Sequence, residues 1–329
     1  MRALITGAAG QDGTILATML SREAVEVVGL VKPDTDTTEF RRYAPDAEVV
    51  ECDLVDDSTL RQLVIDAQPN RIFNFGGISS IMESVRNPEL TEQVNVVAVE
   101  AIVDAMRAIR AKSGTSPHLV AAASGTIFEG VDRAPQNESM EPEPRSPYAQ
   151  SKAKVISLLR ALRHDEGLFT TSAILYNHES PLRGTGFVTR KITMAAARIA
   201  AGLQDRLELG DIEVARDWGW APDYVNGMRL MLESDEPRDY VLATGISHRL
   251  SFFIARAFQA ADLPEWRNYV TSTSDNTRPI DTNLLVGDSR AAYRELGWRH
   301  TVDFDSIARK MVEHDATLLK DPDAIWRDF

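Results

Sequence analysis

Residues 3–13 read ALITGAAGQDG, a short apolar run followed by glycines at positions 7, 10 and 13. An apolar run that ends in this spacing predicts a strand, a tight turn and the start of a helix. Glycines let the backbone approach a pyrophosphate, which binds the free N–H groups of a helix N-terminus. A plain tight turn is the simpler alternative. The strand–turn–helix context instead favours a dinucleotide site formed by Gly7, Gly10, Gln11, Asp12 and Gly13.

Downstream of this turn, apolar runs alternate with helical patterns through the first half of the chain. The predicted strands cover residues 3–6, 27–31, 49–50, 71–75 and 118–123, and the long predicted helices cover 91–110 and 148–163. Such alternation predicts an α/β fold with a doubly wound parallel sheet. We expect residues 1–173 to form this domain, with 215–247 returning to it. We expect 174–329 to form mainly a smaller α/β lobe that binds substrate.

Composition excludes several classes of protein. The 329 residues carry a formal net charge of −13, a surface that repels nucleic acid and anionic membranes. The single cysteine, Cys52, allows no internal disulfide, suits a reducing compartment and is expected to be a buried, inert thiol. The six histidines show no metal-ligand spacing, so no metal site is expected. We find no membrane span and no signal peptide before Ala3, and therefore expect a cytoplasmic protein.

The residue after the second predicted strand bears on which dinucleotide binds. An acidic residue there suits the ribose hydroxyl of NAD, whereas a basic one suits the extra phosphate of NADP. Lys32 occupies that place, which favours NADP and leaves NAD possible. Asp53 and Leu54, after the third strand, fit an adenine contact. An exposed lysine and a simple helix cap are the alternatives for these positions.

The segment Tyr148-Ala149-Gln150-Ser151-Lys152 places a tyrosine and a lysine one helical turn apart, on one helix face. A phenol is a poor base near neutral pH until nearby positive charge lowers its pKa. Lys152 and an oxidised nicotinamide ring would supply that charge. Tyr148 could then take the proton of a sugar hydroxyl while hydride leaves the same carbon. Ser124, at the end of the fifth strand, would donate a hydrogen bond to the same oxygen.

The glycine turn, the fifth-strand serine and the tyrosine–lysine pair, in this order, resemble the extended short-chain dehydrogenase/reductases, which have a Rossmann fold. The second half narrows the resemblance. Residues 175–181 (LYNHESP), 186–193 (GFVTRKIT) and 209–225 (LGDIEVARDWGWAPDYV) are similar to the GDP-mannose 4,6-dehydratases. Residues 278–288 continue the similarity.

The resemblance to the dehydratases implies roles for further residues. His178 would lie near the nicotinamide, Asn177 would contact the sugar diphosphate, and Arg216 and Arg278 would hold the pyrophosphate. The residues expected along the nucleotide or the sugar are Ser79, Val188, Arg190, Lys191 and Asp281. The resemblance also implies a homodimer through the helices at 91–110 and 148–163. It leaves a tetramer open.

One position departs from the dehydratase pattern. The family carries a glutamate two residues after the active-site serine or threonine, and this glutamate removes the C5 proton of the sugar. Here that place falls on Thr126, which cannot act as a base near neutral pH. Ser124-Gly125-Thr126-Ile127-Phe128 resembles the sugar 4-epimerases instead. Glu129 could substitute for the glutamate, but an additional loop acid is more often solvated.

The sequence therefore predicts an enzyme that uses NADP to oxidise a GDP-hexose at C4. Ser124, Thr126, Tyr148 and Lys152 are its expected catalytic residues. The sequence favours 4-epimerisation or another outcome without loss of water, because dehydration needs the missing glutamate. The alternatives are dehydration to a 4-keto-6-deoxy sugar, reduction of a 4-keto sugar, and a non-catalytic NADP-binding regulator.

Overall fold

A computed structural model describes residues 1–272 and 285–327 of the chain. Strands are numbered along the chain: β1 Arg2–Thr6, β2 Glu26–Val31, β3 Glu48–Glu51, β4 Arg71–Asn74, β5 His118–Ser124, β6 Thr170–Leu175, β7 Asn177–Glu179, β8 Leu207–Leu209, β9 Ala215–Trp220, β10 Tyr240–Leu242, β11 Ser247–Arg249 and β12 Val270–Ser272. Seven of them form a parallel sheet in the order β10-β6-β5-β4-β1-β2-β3. The prediction of a parallel sheet is confirmed, and β6 and β10 extend it beyond the five strands expected.

Helices cover both faces of this sheet. Their bounds are α1 Gln11–Arg22, α2 Thr38–Tyr43, α3 Asp57–Ala67, α4 Ile81–Arg86, α5 Pro88–Glu92, α6 Ala98–Ser113, α7 Pro147–Glu166, α8 Val188–Ala200, α9 Ala221–Glu233, α10 Leu250–Ala260, α11 Arg290–Leu296 and α12 Phe304–Leu318. Side chains of β1 alternate between two cores: Ile5 packs in the core that contains α1 and α9, and Leu4 in the core of α3, α6 and α7. Because both faces are covered, consecutive residues of a central strand are buried and apolar, as Ala3, Leu4 and Ile5 of β1 show.

The strand order reverses between β1 and β4, and ligands of doubly wound sheets bind in the crevice at such a point. Two bonds hold the carboxyl ends of these strands together. Thr6 Oγ1 donates to Asn74 Oδ1 at 2.6 Å and accepts from the Gly76 N–H at 2.9 Å. The end of β1 and the loop after β4 therefore lie close together on the two sides of the crevice.

The remaining strands form two small sheets, in the orders β11-β9-β7 and β12-β8. Helices α8, α10 and α12 pack together beside them. Strand β7 follows β6 after one residue, so this lobe begins at the carboxyl edge of the large sheet. The lobe thus faces the crevice.

The helix expected over 91–110 is not continuous. A π-helical turn at Gln93–Val97 separates α5 from α6. Cys52 is buried, and burial raises the pKa of its thiol to about 11, which confirms the expectation of an inert thiol. Of the helices in the described ranges, none combines the length and the apolar character needed to cross a membrane.

Candidate active site

The glycine turn forms a cradle that side chains would fill. Gly7 has φ +66°, and a Cβ built on it would lie 2.9 Å from the backbone of Gly76. A Cβ on Gly13 would lie 2.6 Å from two carbonyl oxygens. Gly10 precedes α1 and offers no side chain to cap it, so the first N–H groups of the helix are left to a ligand. These features fit a bound pyrophosphate.

The π-helical turn brings Asn95 into the crevice wall. Its amide donates to Ile78 O at 3.1 Å and to Ser151 Oγ at 2.9 Å, and its oxygen accepts from the Ile78 N–H at 2.8 Å. Asn95 therefore ties the loop after β4 to α7, next to Lys152. π-helical turns are frequent at functional sites. No pattern in the sequence predicts this π-helical turn.

Tyr148 lies in the first turn of α7. Ser146 caps this helix by accepting the Ala149 N–H at 3.2 Å, and Pro147 stands at its first position. Tyr148 is 9% exposed. Burial raises the pKa of its phenol, whereas hydrogen bonding with Ser124 and the charge of Arg183 act to lower it. The predicted grouping of Ser124 with Tyr148 is thus present in the structure.

Lys152 lies one turn along α7, with its Nζ 5.8 Å from the centroid of the Tyr148 ring. The ammonium donates to Ala122 O on β5 at 2.8 Å, which fixes its position. Burial lowers the pKa of Lys152 to about 8. The residue therefore still carries a positive charge in most molecules near neutral pH.

Thr126 donates to Ser124 Oγ through its hydroxyl at 3.0 Å and through its backbone N–H at 3.3 Å. Ser124 Oγ accepts both bonds, so its own proton is left for another acceptor in the crevice. Thr126 consequently orients Ser124. No carboxylate stands at this position.

We expect Thr126→Val to lower kcat about 5-fold, the value of one lost hydrogen bond of ~1 kcal/mol. Thr126→Ser keeps the donor and should retain nearly full activity. Steady-state rates of both variants check this. Equal rates for the serine and valine variants would contradict an orienting role.

His178, on β7, forms a buried charged pair with Asp12. Its Nδ1 faces Tyr176 O at 2.7 Å and its Nε2 faces Asp12 Oδ2 at 3.0 Å. Both partners are acceptors, and this arrangement favours a proton on each ring nitrogen and hence the cationic imidazole. Burial disfavours that charge, but the Asp12 carboxylate outweighs burial and raises the pKa of His178. Burial likewise acts to raise the pKa of Asp12, but His178 lowers it on balance.

Gln11 reinforces this connection between α1 and the smaller lobe. Its amide donates to His178 O at 3.2 Å, and its oxygen accepts from Ser180 Oγ at 2.8 Å. The side chains of Gln11 and Asp12 therefore hold the glycine turn against β7. Gln11 and Asp12 thus hold the glycine turn and His178 in fixed positions relative to each other.

The pair predicts a pH-dependent stability. The His178 contribution is complete below the ordinary pKa of 6.5 and is lost as pH rises through the raised value. The Asp12 contribution is present above the ordinary 3.8 and is lost as pH falls through the lowered value. We therefore expect the stability advantage of the native chain over His178→Gln to shrink as pH rises above about 6.5. Denaturant unfolding across this range measures it. An advantage that grows on the alkaline side would contradict the pairing.

Glu129 is where the structure differs most from expectation. A solvated loop acid was expected, but Glu129 is only 4% exposed. Its carboxylate accepts from Ser146 Oγ at 3.2 Å and from the Arg145 N–H at 3.3 Å. Its charge acts to raise the pKa of Tyr148, so it lies within electrostatic range of the phenol. The acid belongs to the site.

Other predicted cofactor and substrate residues lie around the same edge. Lys32 is exposed directly after β2, and Asp53 is exposed after β3 and accepts from the Val55 N–H at 3.1 Å. Leu54 packs against Gly76, so it reaches the crevice. Ser79 and Asn177 are exposed, at the carboxyl ends of β4 and β6.

The residues predicted along the nucleotide divide into two groups. Lys191 is exposed and donates to Glu208 O at 2.7 Å, Val188 is half-buried, and Arg216 is half-buried on β9. Arg190 instead points inward and forms a buried ion pair with Asp315 of α12. Arg278 and Asp281 lie outside the described residues.

Sequence reasoning missed three further residues of this site. Gly76 and Gly77 line the wall opposite the glycine turn, and a Cβ on Gly77 would lie only 2.7 Å from Asn95 Oδ1 and in ordinary contact with Lys152 Nζ, at 3.8 Å. Arg183 follows the LYNHESP run and acts electrostatically on Tyr148, Asp12 and His178. Its place between the two quoted runs, 175–181 and 186–193, was a usable signal. The glycines could have been found from the strand that precedes them.

Comparisons with known proteins agree with this geometry. The family model described as GDP-mannose 4,6 dehydratase matches residues 4–311. GDP-mannose 4,6 dehydratase 2 of Arabidopsis thaliana is 37% identical over 328 residues, 97% of this chain and 87% of that protein.

Solved structures show the fold. UDP-glucose 4-epimerase of Thermotoga maritima, determined with UDP-glucose, matches with a TM-score of 0.84 at 20% identity, covering 97% of this chain and 100% of that chain. RMD from Pseudomonas aeruginosa, complexed with NADPH, matches with a TM-score of 0.79 at 23% identity, covering 96% and 99%. The large sheet and its flanking helices have the Rossmann fold of the extended short-chain dehydrogenase/reductases. With a family model over most of its length and a relative more than a third identical, the chain belongs to the GDP-mannose 4,6-dehydratase family of enzymes.

Proposed function

We propose that the enzyme uses NADP to oxidise a GDP-hexose resembling GDP-mannose at C4, and that the product is a 4-keto-6-deoxy sugar. The observation that carries the first step is the grouping of Tyr148, Ser124 and Lys152 beside the glycine cradle. The substrate class rests on the relatives that match almost the whole chain.

The residues present fit a nicotinamide dinucleotide. A side chain at Gly7 or Gly13 would clash with neighbouring backbone, and the turn that these glycines form suits a pyrophosphate. Lys32 is exposed directly after β2, where a 2′-phosphate would lie. When bound, such a cofactor accepts hydride from C4 and later returns it, and its oxidised ring adds positive charge beside the phenol. The NADPH bound by the structurally similar RMD supports the choice of NADP. NAD remains the alternative.

The side chains of the chain itself supply the proton chemistry. Tyr148 takes the proton of the C4 hydroxyl, and Ser124 donates a hydrogen bond to the same oxygen. Because burial raises the pKa of Tyr148, the phenol needs nearby cations to act near neutral pH. Lys152 and Arg183 are those cations on the protein side.

The nucleotide end is assigned to Asn177, Val188, Lys191 and Arg216, with Arg278 and Asp281 added by resemblance. Lys191, which is exposed, and Arg216, which is half-buried, suit a diphosphate, because lysine and arginine place positive charge locally on an acidic protein. Arg190 is left out of this set, since its guanidinium is buried with Asp315. We assign it the role of joining α8 to α12.

Two net reactions compete after C4 oxidation. Dehydration is supported by the dehydratase relatives and by the buried carboxylate of Glu129 near Tyr148. Epimerisation at C4 is supported by Thr126, whose hydroxyl serves Ser124 and supplies no base. We favour dehydration, because the sequence-based preference for epimerisation assumed a solvated Glu129.

The cellular setting stays a prediction. We propose a cytoplasmic homodimer formed through α6 and α7, with a tetramer still open. The buried thiol Cys52 is compatible with a reducing compartment.

Incubation of the purified protein with GDP-mannose and NADP tests the proposal, read by mass spectrometry and NMR. Loss of water identifies the dehydratase. Unchanged mass with inverted C4 identifies the epimerase, and consumption of added NADPH with a 4-keto sugar identifies a reductase. A protein that binds NADP and changes none of these sugars would be a regulator.

A further inference from the structure

Thr126 and Glu129 lie on one edge of a short 3₁₀ helix. The helix covers Gly125–Phe128, and the Glu129 N–H donates to Thr126 O at 3.0 Å. Because a 3₁₀ helix has three residues per turn, side chains three apart eclipse each other. Glu129 therefore follows Thr126 on the same side of the helix, one turn further from β5.

The carboxylate of Glu129 is held but not saturated. Oε2 accepts from Ser146 Oγ at 3.2 Å and from the Arg145 N–H at 3.3 Å, while Oε1 lies 3.5 Å from Ser146 Oγ. A carboxylate has about four lone-pair directions, so Oε1 keeps capacity for a further partner. The contacts fix the group at the N-terminus of α7, in the turn that carries Tyr148.

The Glu129 carboxylate interacts electrostatically with two groups of the site, the Tyr148 phenol and the Arg216 guanidinium. Its charge is felt by the Tyr148 phenol, where the C4 hydroxyl reacts. The Arg216 guanidinium, assigned to the pyrophosphate, acts in turn on Glu129. The proposed function places the hexose between Arg216 and Tyr148, and the Glu129 carboxylate interacts electrostatically with both of these residues.

We propose that Glu129 is the base that removes the C5 proton of the 4-keto sugar, in place of the glutamate that Thr126 replaces. This inference rests on the proposed function, since the C5 proton becomes acidic only after C4 is oxidised. Glu129 thus supplies the carboxylate that is missing at Thr126, from one turn further along the helix.

The elimination balances in protons and electrons. The C5–H bond breaks, its proton passes to the Glu129 carboxylate, and its electron pair is held as the enolate of the C4 ketone. The C4 carbonyl then re-forms as a C5–C6 double bond forms and the C6–O bond breaks. The Glu129 proton passes to the departing hydroxide, which leaves as water. No further reactant is needed for this step.

The environment of Glu129 suits proton transfer. Burial raises the pKa of its carboxyl, although hydrogen bonds from Ser146 and Arg145 and the charge of Arg216 oppose burial. A carboxylate whose pKa is raised accepts a proton more readily than one with the ordinary value. A fully solvated acid would be a weaker base.

The test compares Glu129→Gln with the native chain on GDP-mannose and NADP in deuterium oxide. The glutamine oxygen can still accept from Arg145 and Ser146, so a purely structural role is retained. We expect deuterium entry at C5 and formation of the 6-deoxy product to fall about 100-fold or more. Reduction of bound NADP on addition of substrate, read by absorbance, should persist. Glu143→Gln, an exposed acid in the facing segment, should behave as the native chain.

A rescue variant separates chemistry from folding. Thr126→Glu with Glu129→Gln returns a carboxylate to the adjacent turn and should regain C5 exchange. Native-level C5 exchange in Glu129→Gln would overturn the proposal, and so would epimerisation without C5 exchange by the native protein. In both cases C4 oxidation would stand. A native protein that fails to oxidise any GDP-hexose would overturn the proposed function as well.

Discussion

Tyr148→Phe is expected to lower kcat on GDP-mannose roughly 10²–10⁴-fold, the usual effect of removing a positioned proton acceptor. The variant loses only the hydroxyl, while the ring stays packed at the start of α7. Ser124 and Lys152 remain in place, but neither accepts the C4 hydroxyl proton: Ser124 is the donor to that oxygen, and Lys152 is held on Ala122 O. The enzyme should therefore bind cofactor and substrate and fail at the first step.

Single-turnover reduction of NADP and isothermal titration with NADP together measure this. Tyr240→Phe is the matched control. Tyr240 is also a buried tyrosine, its hydroxyl donates to Glu295 at 2.9 Å, and it lies on the edge strand β10. The Tyr240→Phe substitution should lower the free energy of unfolding by about 1 kcal/mol and leave turnover unchanged. A Tyr148→Phe variant that keeps more than about a tenth of native kcat would remove the phenol from the mechanism.

The parts of the site that sequence could predict are local. The glycine turn and the tyrosine–lysine pair each depend on residues within a few positions, whose spacing is set by one turn or one helical repeat. Ser124 follows from its place at the end of an apolar strand. For such features, periodicity and chain order are sufficient, and the structure brings them to one edge of the sheet.

The parts that sequence could not predict depend on distant partners. Arg190 was expected along the nucleotide, yet its guanidinium pairs inward with Asp315, 125 residues away. Asn95 reaches Ser151 only because a π-helical turn rotates it toward α7. Glu129 is buried because Ser146 and Arg145, at the start of another helix, approach it. Such contacts come from tertiary packing, which single-sequence patterns do not encode.

That difference also explains why the expected net reaction changed. The preference for epimerisation rested on Thr126 at one aligned position. In the structure, the carboxylate of Glu129 is buried one turn further along the same 3₁₀ helix, at the start of α7. A base can occupy a neighbouring position of a 3₁₀ helix and still lie on the same edge, so the missing glutamate alone is a weak argument against dehydration.

Gly7→Ala should destabilise the chain by about 2–5 kcal/mol and abolish protection by NADP. Left-handed backbone costs a non-glycine residue about 1–2 kcal/mol, and crowding of a packed region adds about 1–3 kcal/mol. Gly7 faces both costs, since its φ is +66° and its Cβ would lie 2.9 Å from the Gly76 backbone. Relief requires the loop after β4 to move away from β1. That movement opens the crevice in which the pyrophosphate is expected.

Gly114→Ala is the matched control, because Gly114 has φ +81° but nothing within 4 Å of its Cβ position, at the end of α6. It should show the backbone cost alone, about 1–2 kcal/mol. Thermal unfolding with and without NADP separates the two effects, since a ligand stabilises only a fold that binds it. NADP should raise Tm for the native chain and Gly114→Ala, and not for Gly7→Ala. An equal rise in all three would mean that the dinucleotide binds elsewhere, and Tyr148 would then have no cofactor beside it.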